Sequence, residues 1–167
     1  MKIENIHLGK NVEVDPTSTI NNIVLGDNVR IAKHCSVFGG PNNLLQIGNN
    51  SYVGMNAIIE GFNEKITIGE HVSMAPNVYI MSGSGPNGSP PMQKVFPIVK
   101  AAVGIGDHTW IGAGSVIMPG VTLGKYCVVA VNSFVNKSFP DFSIIGGSPA
   151  NVIRMFTEDE RNRLTTV

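Results

Sequence analysis

The chain has 167 residues, enough for one domain, of which 43% are apolar and only 14% charged, against about a quarter charged in an ordinary soluble domain. Its 12 basic and 12 acidic residues leave a formal net charge of zero, which excludes the basic footprint of a nucleic-acid binder or of a protein held on an anionic membrane. No window approaches the ~20 apolar residues of a spanning helix, and the opening MKIENIHLGK has no apolar core of a secretion signal. Cys35 and Cys127 are far apart and lie in no CxxC pair. They read as free buried thiols of a cytoplasmic protein. With 19 Gly and 10 Pro in an apolar chain, many short strands joined by turns are expected, not a disordered tract.

In chain order the sequence falls into sixes. Leu8 opens LGKNVE and VDPTST; Leu25 opens LGDNVR, IAKHCS and VFGGPN; Ile47 opens IGNNSY, VGMNAI and IEGFNE; Ile68 opens IGEHVS, MAPNVY and IMSGSG. The frame then fails from 83 to 103, where four Pro and several Gly forbid a regular coil. A long irregular loop in a compact domain is commonly functional. From Ile105 six blocks run without interruption: IGDHTW, IGAGSV, IMPGVT, LGKYCV, VAVNSF and VNKSFP. After Pro140 come a turn at Gly146, Gly147 and Pro149, and a capping box from Thr157 to Glu160 that starts a short helix reaching about Leu164.

Such a period has a specific physical meaning. One unit is a short strand and a turn, with the aliphatic first residue inward and a small second residue that lets the backbone turn without a Cβ clash. Three units make one coil of a triangular prism, and coils stack at the strand spacing of ~4.8 Å. Leu8, Leu25, Ile47, Ile68, Ile105 and Leu123 then form one column of a core that no single coil could bury alone. A β-sandwich would show alternation of period two with turns every 8–12 residues instead. The expected architecture is an all-β solenoid over residues 1–154, with a loop excursion at 83–103 and a helical cap over 155–167. At position four of their blocks, His34, Asn56 and Asn77 form one outward polar column. His71 and His108 form another, their rings ~5 Å apart if the coils are neighbours.

The run IGDHTWIGAGSVIMPGVTLG, followed by GGSPANVIR, resembles the left-handed β-helix hexapeptide acyltransferases, and within them the sugar O- and N-acetyltransferases. The resemblance covers about Leu8 to Arg154. It implies the left hand of the helix, a homotrimer, and transfer of an acetyl group from acetyl-CoA to a hydroxyl or amine of a sugar or nucleotide sugar, as in surface polysaccharide biosynthesis. It also implies that coenzyme A lies along the last coils between two subunits, with the excursion reaching toward a neighbouring subunit. By position, Trp110 would wall the acceptor; Ala113 and Val131 would offer backbone groups to the pantetheine; Asn136, Lys137 and Arg154 would meet the donor, the two cations at its phosphates. Asn56 matches an acceptor-binding Asn of the family, whereas Gly54 stands where a second would be.

The family's catalytic His would fall at Gly83, Ser84 or Gly85, none of which is His. The candidates left for proton transfer are His71 and His108, which flank the excursion, with Ser84 orienting the acceptor. An amine acceptor arriving unprotonated would need positioning alone. Two other readings compete. The zinc carbonic anhydrases that share the fold need three His, two of them five residues apart, and His108 has no partner at Ala113, so no metal is expected. A degenerate, non-catalytic scaffold or coenzyme A-binding protein is the alternative that the missing His favours and the intact repeat opposes.

Overall fold

The computed structural model describes residues 4–166. Of the expected 1–154 and 155–167 segments, residues 1–3 and 167 lie outside those described. The chain is a left-handed parallel β-helix whose solenoid has three sheets. The first face stacks Ile6–Leu8, Ile23–Leu25, Leu45–Ile47, Ile66–Ile68, Val103–Ile105 and Thr122–Leu123 in that order. The second runs from Glu13–Val14 through Arg30–Ile31, Tyr52–Val53, Ser73–Met74, Trp110–Ile111 and Val128–Val129 to Ser143–Gly147. The third stacks Thr19–Asn21, Ser36–Gly39, Ile58–Gly61, Tyr79–Met81, Val116–Ile117 and Phe134–Val135. Neighbouring coils pair in parallel and in register, as at Ile47, Ile68, Ile105 and Leu123 on the first face.

The inward column from Leu25 to Leu123 is buried throughout. Leu8 is the exception at 55% exposed, because no described coil stacks beyond it. Ile59, Ile80, Ile111 and Ile117 line the same core. Position five carries Ser or Thr for a reason: the buried hydroxyls of Ser51, Thr109 and Ser115 donate to Gly69, Gly124 and Ala130 carbonyls of the next coil at 3.0 Å each. Corner backbone that could not pair within a strand is satisfied in this way.

The structure corrects the expected role of position two. The residue that turns the chain is at position four, where Asn11, Asn28, Asn50, His71, His108 and Tyr126 all have φ between 53° and 58°. Asn tolerates this left-handed region best among non-glycine residues, and its amide can bond locally. Glycine at position two answers a different need, close approach of the next coil. A Cβ on Gly106 would lie 2.4 Å from the carbonyl carbon of Gly124 and 2.6 Å from the Lys125 nitrogen.

The excursion leaves the solenoid without disturbing it, since Ile66–Ile68 pairs directly with Val103–Ile105. Gly83–Ser84 pairs antiparallel with Val99–Lys100, and the Ala101 N–H donates to the Ser82 carbonyl at 3.0 Å to close the neck. The arm's tip is a single helical turn, α1 (Pro90–Gln93), which buries none of its residues. At the far end Ala150–Met155 folds back antiparallel on Ser143–Gly147. Helix α2 (Glu158–Thr165) follows, with both hydrogen bonds of the Thr157–Glu160 capping box formed.

Candidate active site

The candidates from the sequence sort onto the three corners of the prism. His71 and His108 sit between the first and second faces, stacked with ring centroids 4.8 Å apart and planes 4° from parallel. They are the middle of a longer ladder. Tyr126 stacks on His108 at 4.7 Å and Phe142 on Tyr126 at 5.2 Å. On the other side the Asn50 amide lies 3.3 Å from His71 Nε2, and Asn28 and Asn11 continue the row by amide hydrogen bonds of 2.9 and 3.2 Å. Asp107, next to His108, pairs with Lys125 at 2.9 Å. The Lys125 ammonium, and then the Glu70 backbone N–H, hold its carboxyl below the usual carboxylate range.

Asn56, Ala113 and Val131 lie at the corner between the second and third faces. Ala113 and Val131 belong to successive coils, linked where the Asn132 N–H donates to the Ala113 carbonyl at 2.8 Å. Val131 is 64% exposed, so this corner is open to solvent. Trp110 stands on the second face, two residues beyond His108, and is 55% exposed. Asn136 and Lys137 follow the last strand of the third face. Lys137 donates to the Asn151 side chain at 2.7 Å. Arg154 lies on the fold-back strand, its guanidinium held by both oxygens of Glu160 at 2.7 and 2.9 Å. That pairing, with the Thr157 N–H, lowers the Glu160 carboxyl to about 2.

Ser84 lies where the arm leaves the third face and lines a cavity of about 320 Å³ between arm and sheet. Within one chain, therefore, Ser84, the His71–His108 pair and the Ala113–Val131 pair occupy different corners. Among the described residues, no group of three or more His, Cys, Asp or Glu is arranged to hold a metal. A larger depression of about 600 Å³ lies on the second face of the early coils, around Arg30, Lys33 and Tyr52, and none of the sequence candidates lines it.

Comparison with known proteins agrees with the repeat. Residues 102–137 match the family described as bacterial transferase hexapeptide (six repeats). The last coils of this chain carry that family's repeat. The galactoside O-acetyltransferase of Lactococcus lactis is 32% identical over 123 residues, 74% of this chain and 58% of that protein. The galactoside O-acetyltransferase of Escherichia coli is 33% identical over 119 residues, 71% of this chain and 57% of that protein. The chain thus spans less than three fifths of these relatives' length. Among solved structures, AntD, an N-acyltransferase from Bacillus cereus in complex with dTDP and 3-hydroxybutyryl-CoA, superposes with a TM-score of 0.80 at 24% identity, over 93% of this chain and 86% of that one. A maltose O-acetyltransferase from Clostridium difficile 630 gives a TM-score of 0.62 at 27% identity, over 91% and 70%.

Two residues of this hexapeptide-repeat protein escaped the sequence reading. Glu60 and Tyr79 are on neighbouring coils of the third face, both directed outward into the cavity beside Ser84. The Tyr79 hydroxyl donates to Glu60 Oε2 at 3.1 Å. Burial, and then the Glu60 carboxylate, push the phenol above its ordinary value. The signal was present in the six-residue frame: both are the polar members of otherwise apolar strands, IIEG and YIM.

Proposed function

We propose that the protein is an acetyltransferase that moves an acetyl group from acetyl-CoA to a hydroxyl or amine of a sugar or nucleotide-sugar acceptor, in the cytoplasm and in surface polysaccharide biosynthesis. One observation carries the reading: a solvent-open corner at Ala113 and Val131 of successive coils, with Trp110 exposed on the adjoining face, on a solenoid whose relatives are named as galactoside O-acetyltransferases. A thin pantetheine arm can lie along such a corner and use the coil's outward backbone groups. Asn136 and Lys137 then meet the donor's polar end, and Arg154 joins them by exchanging Glu160 for a phosphate.

In this reading the working unit is a homotrimer. Met92, Val95, Phe96 and Val99 of the arm are all exposed, an apolar cluster that a soluble chain covers with a second copy. A partner's surface beside the Ala113–Val131 corner makes a groove of it. His71 and His108 act as positioning residues. Their ring faces are taken by stacking and His71 Nε2 by Asn50, so they hold the corner from which Trp110 projects. Ser84 and Asn56 contact the acceptor.

A second reading has one observation in its favour, the absence of His at residues 83–85: a scaffold that binds coenzyme A and transfers nothing. Thiol release from acetyl-CoA across amino and hydroxyl sugars, with calorimetry of acetyl-CoA binding in parallel, separates the two. Release with any acceptor supports the enzyme. Binding without release from the whole panel leaves the scaffold.

A further inference from the structure

We propose that the cavity at the root of the arm is an ammonium-binding acceptor pocket, in which the Glu60 carboxylate, held by the Tyr79 hydroxyl, binds the amine of the acceptor and takes its proton. The inference rests on the transferase reading and narrows it from sugars in general to amino sugars.

Several observations converge on this cavity. Its titratable lining groups are Glu60 and Tyr79. Glu60 is half-buried, and among the described residues no Lys, Arg or His pairs with it. A carboxylate partly withdrawn from water with no cation beside it attracts one from solution. Tyr79 fixes one carboxylate oxygen of Glu60 by its 3.1 Å hydrogen bond, and Glu60 itself lines the cavity. Asn63, Ser84 and Asn87 bring amide and hydroxyl groups to the same space, and Met81 an apolar wall. This combination suits a sugar ring, with apolar contact on one face and hydrogen-bonding groups around its edge. At about 320 Å³ the cavity is at the lower end of the range for small-molecule sites.

The chemistry balances without another reactant. The acceptor enters as R–NH3⁺ and gives one proton to Glu60. The free amine attacks the thioester carbonyl, so that a C–N bond forms and the C–S bond breaks. The thiolate takes the second amine proton, and Glu60 returns its own to solvent. Carboxylates deprotonate ammonium groups far more readily than alcohols, so the same pocket would serve a hydroxyl acceptor poorly. This assigns a proton acceptor in a chain with no His at residues 83–85.

The test is thiol release from acetyl-CoA with paired acceptors: glucosamine against glucose, galactosamine against galactose, and a nucleotide-linked amino sugar against its hydroxyl counterpart. Turnover is expected with the amine of a pair and not with the alcohol. Glu60→Gln should lower kcat/KM at neutral pH by about 10²-fold or more while acetyl-CoA binding is unchanged. Its rate should then climb as pH rises and the free amine accumulates. Glu60→Asp, which keeps the charge, should retain more activity than Glu60→Gln, and Tyr79→Phe should fall between wild type and Glu60→Gln. Wild-type kcat/KM in Glu60→Gln, no pH rescue, or preference for the alcohols would overturn the pocket and leave acetyl transfer standing. Acetyl-CoA bound with no thiol released from any acceptor would overturn the transfer itself.

Discussion

Replacing Gly106 by Ala tests how the coils are held at their spacing. The new methyl would lie 2.4 Å from the Gly124 carbonyl carbon, 2.6 Å from its oxygen and 2.6 Å from the Lys125 nitrogen. All three are backbone atoms, so no side chain can swing aside. Ordinary contact requires the two coils to part locally by nearly an ångström. That parting stretches the Gly106 N–H bond to the Leu123 carbonyl, 2.8 Å, and the Tyr126 N–H bond to the Asp107 carbonyl, 2.9 Å. Overpacking of this kind costs ~1–3 kcal/mol, and each weakened hydrogen bond up to ~1 kcal/mol. The lower entropy of the unfolded alanine chain offsets only ~0.4–1 kcal/mol. A net loss of about 3 kcal/mol corresponds to a melting temperature lowered by ~6–12 °C for a chain of this size. The control is Gly88→Ala in the arm, where a Cβ meets nothing within 4 Å; it should melt with wild type or slightly above. Thermal unfolding of both variants by circular dichroism at one protein concentration decides the matter. Equal melting temperatures for the two would refute the account of position two.

Further outcomes are expected elsewhere. Tyr126→Gly frees a left-handed position of its Cβ, worth about 1 kcal/mol, but loses stacking on both His108 and Phe142, worth ~0.5–1.5 kcal/mol each. Urea unfolding should show a loss of no more than about 2 kcal/mol, while Tyr126→Val, which loses the rings and keeps the strain, should lose more. Acid should release the C-terminal helix before the solenoid. The Glu160 carboxyl, lowered from 4.5 to about 2, contributes stability that is fully present above its unfolded value and is lost as pH falls through the folded one. Amide exchange in α2 should therefore accelerate between about pH 4.5 and 2, and Glu160→Gln should abolish that pH dependence.

The fold was legible because its rule is local and repeated. An aliphatic residue every six places predicts a coil, and columns such as Ile47, Ile68, Ile105 and Leu123 follow from stacking. The 4.8 Å spacing of His71 and His108 was legible for the same reason, once the excursion was taken to leave and return at one level. The role of glycine at position two was misread because sequence gives no distance to the next coil, and both turning and close approach select small residues. The ladder was seen only in part. Tyr126 and Phe142 share the left-handed turn with His108, although aromatic residues are poor guides to that conformation. Glu60 and Tyr79 stand out one by one as polar members of apolar strands, but their pairing was not legible, since its hydrogen bond spans 19 residues and its cavity exists only because the arm folds back beside the third face.

The neck of the arm carries a wider consequence. Ser82 and Ala101 are tied by one hydrogen bond, and the coils on either side pair as though nothing had been inserted. Whatever is spliced between those two points is decoupled from the stability of the shaft. A lineage can therefore exchange, lengthen or trim this one segment while leaving the coils on either side untouched. The same junction is a grafting site for an engineer who wants a new loop on an old frame.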